Sequence, residues 1–361
     1  MKKRRVIQGA LGVFLAGIGL YIFFRQSFGG DEAVFAALAR EVAHTSVTGV
    51  AVCVVLAIVT IWLRAMRLKI ILPDEIHHRA SDPKETLAQE QALPPKPHKR
   101  GFFSIVMISF MANNILPARL GEAARVALLW KRNGFPIAVG LGSLIIERTL
   151  DIVAYLSFLF IPVLLSPTLS ARLRDLHPAA PAVIWLSAAA FAAFSGVLLL
   201  YALAPRIFRR TAAFLLRGAG SNKLIAKVKK IGAEAELSIG WIFSPRKAAG
   251  VFALTYAISF CFSTTLWALV FDMNVFGVLD SMFAQAFAAF GSAIPLAPGS
   301  VGTLHAALFF GLTATGLEAG RAGAVAIVYH GLQYIVVTAF GLLLLAGLHI
   351  KFKDITETDV R

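Results

Sequence analysis

The sequence predicts an all-α integral membrane protein with about six transmembrane helices and two re-entrant helical hairpins, arranged as an inverted repeat. Three observations predict it. The first is composition: of 361 residues, 58% are hydrophobic and 15% charged, with a mean hydropathy of +0.74. Soluble domains lie nearer about 45–50% apolar and 25% charged. The second is a set of apolar runs long enough to cross a bilayer, and the third is a pair of apolar stretches broken by helix-terminating residues.

The long runs cover residues 6–28, 45–66, 136–165, 179–204, 247–271 and 322–349. A span needs about 20 apolar residues, so each qualifies. The first follows Met-Lys-Lys-Arg-Arg and ends at Phe23-Phe24-Arg25-Gln26. A secretory leader would carry a shorter apolar core and a small-residue cleavage site, so the run reads as an uncleaved first helix. The broken stretches pair 101–117 with 122–133 across Asn113-Asn114-Ile115-Leu116-Pro117, and 279–296 with 300–316 across Pro295-Leu296-Ala297-Pro298-Gly299. Proline and glycine end helices, and several of these pieces are too short to span.

The distribution of Lys and Arg orients the chain. Lys2 to Arg5 place the N-terminus in the cytoplasm, and the 29–44 loop, with Asp31, Glu32 and Glu41, lies outside. The basic segment from Arg64 to Arg100 returns inside, and Lys131-Arg132 give the first broken pair a second basic flank, as a hairpin dipping in from the cytoplasm requires. The second pair has weakly charged flanks and dips in from outside. This predicts one polytopic domain over residues 1–350, with a cytoplasmic linker at 73–100, a cytoplasmic amphipathic segment at 205–246 and a cytoplasmic tail at 351–361. The net charge of +15 is explained by these topology clusters and by contact with anionic lipid, not by nucleic acid. Cys53 and Cys261 lie within apolar runs and form neither a disulfide framework nor a metal motif.

The two halves repeat. Pro117-x3-Gly121 matches Pro298-x3-Gly302 at an offset of 181; Gly134 matches Gly316, and Glu147-Arg148-x2-Asp151 matches Tyr329-His330-x2-Gln333, at 182. Three spans separate the copies, so they are inverted, an architecture used by transporters.

The chemistry concentrates at the breaks. Arg119, Glu122 and Arg125 follow Pro117 at three-residue spacing, which suits Glu122 to pair with either arginine along one helix face. Glu147, Arg148 and Asp151 lie deep in an apolar helix, where ionisable groups are costly unless paired or facing a polar cavity. The six together make a nearly neutral set. They serve either as a salt-bridge network pinning the hairpin or as a site in which one arginine receives a phosphate headgroup and a carboxylate carries protons or a cationic group. In the second half His305, His330, Gln333 and Tyr334 are neutral. The candidate substrate-binding residues are Asn114, Arg119, Glu122, Arg125, Glu147, Arg148, Asp151, His305, His330 and Gln333, with Pro117, Gly121, Pro298, Gly299 and Gly302 as the breaks. Helix N-termini at the breaks favour an anionic guest. No metal, Walker, nucleophile-elbow or dinucleotide motif is present, so no cofactor and no enzyme activity are expected.

Asn114-Ile-Leu-Pro117-Ala-Arg-Leu-Gly121-Glu122, Glu147-Arg148-x2-Asp151 and Pro295-x2-Pro298-Gly-Ser-Val-Gly302 together resemble the flippase-like transmembrane domain of lysylphosphatidylglycerol synthases, which also occurs as a stand-alone protein. The resemblance runs over nearly the whole chain. It implies a lipid-handling protein of the cytoplasmic (inner) membrane; in the synthases this domain moves an aminoacylated phospholipid outward and a separate soluble domain makes it. Many members read PGGxGxxE where this chain has Pro298-Gly-Ser-Val-Gly302-Thr-Leu-His305, so the carboxylate suited to a cationic aminoacyl lipid is missing. The expected function is translocation of a phospholipid or polyprenyl-phosphate-linked lipid, with membrane lipids of anionic headgroup as partners. The alternative is a non-transporting accessory that presents lipid to envelope-lipid biosynthetic enzymes.

Overall fold

The computed structural model describes residues 47–74, 101–116, 119–176, 179–203, 237–270, 276–294, 298–348 and 350. The expected span at 6–28, linker residues 75–100, amphipathic residues 204–236, the break residue Pro117 and the tail 351–361 lie outside them. Among the described residues the elements are α1 (Val47–Ile71), α2 (Phe102–Ile115), α3 (Leu120–Asn133), α4 (Ile137–Leu165), α5 (Pro167–Leu176), α6 (Ala180–Leu203), α7 (Pro245–Val270), α8 (Val278–Ala293), α9 (Thr303–Ala314) and α10 (Ala319–Gly347), with 3₁₀ turns at Leu237–Phe243 and Pro298–Ser300. Helices α1, α4, α6, α7 and α10 are long and apolar enough to cross a membrane. These are the five described runs that the sequence marked out.

The two broken stretches fold as hairpins. α2 and α3 have 14 residues each, about 21 Å at 1.5 Å per residue, short of the roughly 30 Å hydrocarbon core. α2 ends as Leu116 turns extended, and α8 ends the same way at Ile294. The legs of the first hairpin touch at Gly121, where any Cβ would overlap the Ser109 carbonyl oxygen and crowd the Asn113 backbone nitrogen. Ser109 also donates to the Gly121 carbonyl at 2.8 Å. In the second hairpin Gly291 makes the equivalent approach to Thr303 and Ala307.

The inverted repeat is visible in the packing. α1, hairpin α2–α3 and α4 correspond to α7, hairpin α8–α9 and α10. α1 packs along α7, its own counterpart; α2 packs along α10, and α8 packs along α4. Exchanging the halves therefore maps each contact onto another contact. α4 and α10 are both 29 residues long, and each follows a left-handed glycine, Gly134 (φ 73°) and Gly316 (φ 94°). The two positive-φ non-glycine residues among those described are Arg119 (φ 54°) and Ser300 (φ 58°). They lie 181 residues apart, the offset that relates Pro117 to Pro298, so the same unusual turn is built twice. Counted from α1, the described spans α1, α4 and α6 precede α7, an odd number, as the inverted arrangement expected from the sequence requires.

Two features add to or differ from the sequence reading. Residues 167–176, which lie between the predicted spans 136–165 and 179–204, form α5, which buries Leu169 and Leu173. Its start is conventional: Ser166 Oγ accepts from the Leu169 backbone N–H at 3.2 Å, and Pro167 occupies the first turn. The C-terminal part of the 205–246 segment, expected on the membrane surface, joins the core. Trp241 and Ile242 pack with Ile71, Leu150 and Val251, and Ser238 Oγ donates to the Val139 carbonyl at 2.8 Å.

Candidate functional site

The hairpin tips meet around a cavity of about 270 Å³ bounded by α1–α4 and α7–α10. The tips are fastened to each other and to α10. The Arg119 guanidinium donates to the Ser292 carbonyl at the end of α8, and Ser300 Oγ donates to the same carbonyl at 3.1 Å. Tyr334 donates its hydroxyl proton to the Asn114 carbonyl at 3.1 Å, while Asn114 Nδ2 donates to Thr338 Oγ1 at 3.0 Å. Gly299 is required here: its φ is +60°, and a Cβ would lie 2.6 Å from the Tyr334 ring.

The wall formed by α1, α3 and α4 is cationic. Asp151 accepts from Arg67 Nη1 at 2.7 Å and from Arg64 Nη1 at 3.3 Å, and lies 3.5 Å from Arg148 Nη1. Glu122 lies 3.4 Å from Arg119 and 3.5 Å from Arg148. Arg125 pairs with Glu147, and both are fully buried. Five arginines thus face three carboxylates, a formal charge of +2 among the described residues. The expectation of a nearly neutral set is corrected by Arg64 and Arg67.

By sequence, these two arginines open the basic cytoplasmic segment. The structure carries α1 past them to Ile71, so they sit on its buried face. The signal was the apolar Leu68-x-Ile70-Ile71-Leu72 beyond them, which continues the helix. Arg64 is 5% exposed and lines the cavity, with its guanidinium 5.1 Å from the Phe110 ring centre and 5.7 Å from that of Phe262. Its Nε has no hydrogen-bond partner among the described residues. A buried guanidinium with a spare donor, stacked on two aromatic faces, is suited to an oxyanion.

The opposite wall, from α8 and α10, is polar and neutral. Tyr329 donates to Gln285 Oε1 at 2.7 Å, and His330, Gln333 and Tyr334 also line the cavity. The described carboxylates lining the cavity are Glu122 and Asp151, both engaged by arginine.

The sequence profile of the lysylphosphatidylglycerol synthase TM region matches residues 9–341. The chain belongs to this family. A UPF0104 membrane protein of Methanocaldococcus jannaschii is 26% identical over 239 residues, which are 64% of this chain and 92% of that protein. No solved structure matches the chain.

For this member of the synthase TM-region family, the structure gathers most of the candidate residues and sets three apart. Asn114, Arg119, Glu122, Arg148, Asp151, His330 and Gln333 line the cavity. Arg125 and Glu147 stand behind it as a buried pair; the expected Glu122–Arg125 pairing along α3 is replaced by this cross-helix one. His305 also stands behind the wall. Its Nδ1 accepts the Gly302 backbone N–H at 3.2 Å, three residues upstream. This is the role an acid takes at the third position of a capped helix, and here a histidine fills it. With Nδ1 accepting, the proton sits on Nε2, which donates to His330 Nδ1 at 3.3 Å. Of the break residues, Pro298, Gly299 and Gly302 fall at the turn of the second hairpin, whereas Gly121 lies inside α3 at the contact between the legs of the first. Arg64, Arg67, Gln285 and Tyr329 are the participants that sequence reasoning did not select.

Proposed function

We propose that this protein translocates a lipid with an anionic headgroup across the cytoplasmic membrane, with both termini on the cytoplasmic side. The observation that carries the reading is the cavity itself: it lies between two inverted hairpins too short to span, and its charged wall has an excess of two positive charges. Charges in hydrocarbon cost about 2.5–3.5 kcal/mol each on insertion scales, and an excess that the described residues do not neutralise is suited to a ligand that does. The 270 Å³ volume is at the lower edge of small-molecule sites, about 300–1,000 Å³. It accommodates a headgroup while the acyl chains remain in the bilayer.

Arg148 is the residue placed to receive the phosphate. Its side chain lines the cavity, is 34% exposed and holds Glu122 and Asp151 only at 3.5 Å, so it can turn to a ligand without breaking a tight pair. The test is purified protein in liposomes carrying fluorescent phosphatidylglycerol, phosphatidylcholine or a polyprenyl phosphate, with an impermeant reductant reporting outer-leaflet exposure. Transbilayer movement of an anionic lipid that Arg148→Ala abolishes is the expected result. Movement equal in protein-free liposomes, or undiminished in the variant, refutes it.

A further inference from the structure

The cavity's two walls differ chemically, and the difference specifies more of the ligand than its charge. On the α1–α3–α4 side are Arg64 and Arg148, with donors for one phosphate group. On the α8–α10 side are Gln285, Tyr329, Gln333 and Tyr334, whose amides and hydroxyls can both donate and accept. No described carboxylate on that side lines the cavity. A headgroup ending in an ammonium would bury a cation there without a counter-charge, which is costly in a membrane interior. Beyond the Tyr329–Gln285 and Tyr334–Asn114 bonds, Gln333 Nε2 is buried with no hydrogen-bond partner among the described residues, and a bare phosphate monoester held by the arginines would leave it unmatched once water is displaced. Neutral hydroxyl groups, each donor and acceptor at once, satisfy it.

We propose that the site selects a phosphodiester lipid whose headgroup is uncharged and hydroxyl-bearing, such as a glycerol or sugar, with the phosphate against Arg64 and Arg148 and the hydroxyls against Gln285 and Gln333. The inference rests on the reading that the cavity receives a lipid headgroup, and it adds the headgroup's chemical class. The two walls come from different repeats, so the duplicated halves have divided recognition between them: the first half holds the phosphate and the second reads the alcohol. His330, beside Gln333 on α10, has its Nδ1 occupied by His305, which fixes the ring that borders the hydroxyl side.

The test measures binding, which is separable from transport. Purified protein in neutral detergent is titrated with dioctanoyl phosphatidylglycerol, phosphatidylmethanol, phosphatidylethanolamine and phosphatidylcholine, and with water-soluble glycerophosphoglycerol. Phosphatidylmethanol keeps the diester anion and lacks the hydroxyls. Phosphatidylglycerol is expected to bind about tenfold tighter than phosphatidylmethanol, as one well-formed hydrogen bond supplies, and more tightly still than the two zwitterionic lipids. Gln333→Leu is expected to reduce the glycerol-to-methyl ratio below about threefold, with phosphatidylmethanol affinity retained. Gln333→Glu supplies the missing carboxylate and is expected to shift preference toward phosphatidylethanolamine, an outcome a merely misfolded variant cannot give. Glycerophosphoglycerol competing as strongly as the lipid identifies a free phosphodiester as the ligand and overturns the lipid assignment. Equal binding of phosphatidylglycerol and phosphatidylmethanol, or an unchanged ratio in both variants, overturns the headgroup assignment. Selective binding without transbilayer movement overturns translocation alone.

Discussion

Asp151→Asn isolates how the arginine cluster is held. The carboxylate accepts from Arg67 at 2.7 Å and Arg64 at 3.3 Å, and these two guanidinium groups are 0% and 5% exposed. Arg67 also donates to Thr255 Oγ1 at 3.1 Å, which offers a dipole but no charge. Asparagine keeps the size and one acceptor oxygen but removes the negative charge, raising the local excess from +2 to +3. Removing one partner of a buried ion pair costs about 3–5 kcal/mol, a large share of the roughly 5–15 kcal/mol that holds a folded protein together. Arg148→Ala removes only long, partly solvated pairs, so its cost is about 1 kcal/mol or less. Thermal unfolding in detergent, followed by tryptophan fluorescence and monodisperse elution, should show a much lower transition for Asp151→Asn and a nearly native one for Arg148→Ala. Pairing Asp151→Asn with Arg67→Gln should recover part of the loss, because the stranded charge is then absent. An Asp151→Asn protein as stable as the parent would refute the argument that this carboxylate anchors the cluster.

Two further outcomes follow from the geometry. Gly121→Ala places a Cβ onto the Ser109 carbonyl oxygen, where only backbone can yield; overpacking costs about 1–3 kcal/mol or more, and the yield of monodisperse protein should fall sharply, while Gly331→Ala on α10, with nothing within 4 Å, should leave it unchanged. For orientation, a cysteine at exposed Arg132 should react with an impermeant maleimide only from the cytoplasmic side, and one at exposed Glu318 only from the opposite side; labelling of both from the same face would remove the inverted arrangement.

The hairpins were legible because their breaks are written in local chemistry: Pro117, Pro298 and Gly299 stop helices whatever surrounds them. The repeat was legible for the same reason, and its one-residue slippage falls between the tip and the long helix. The partners of the charges were not legible. Three-residue spacing favoured Glu122 with Arg125, but which carboxylate meets Arg125 is decided by how α3 lies on α4, and there Glu147 faces it directly. Arg64 and Arg67 were hidden by their own neighbourhood, since an arginine at the end of an apolar run is ordinarily a topology signal. Only the depth to which α1 continues distinguishes an anchor in the headgroups from a charge in the core. Gln285 carried no local signal at all; it stands in an Ala- and Phe-rich helix, and its hydrogen bond to Tyr329 crosses 44 residues.

The exchange of partners between halves has a mechanical consequence. Because α2 leans on α10 and α8 leans on α4, each hairpin is seated on a helix belonging to the other half, and the seats are crossed like the arms of a pair of tongs. A shift of one half relative to the other moves both seats at once and in opposite senses with respect to the two faces. For the translocation proposed above, such linkage would oppose simultaneous opening of both hairpins without a dedicated latch among the described residues. A single weak crossing, such as an enlarged residue at Gly341 against Met111, should therefore loosen the chain at both ends.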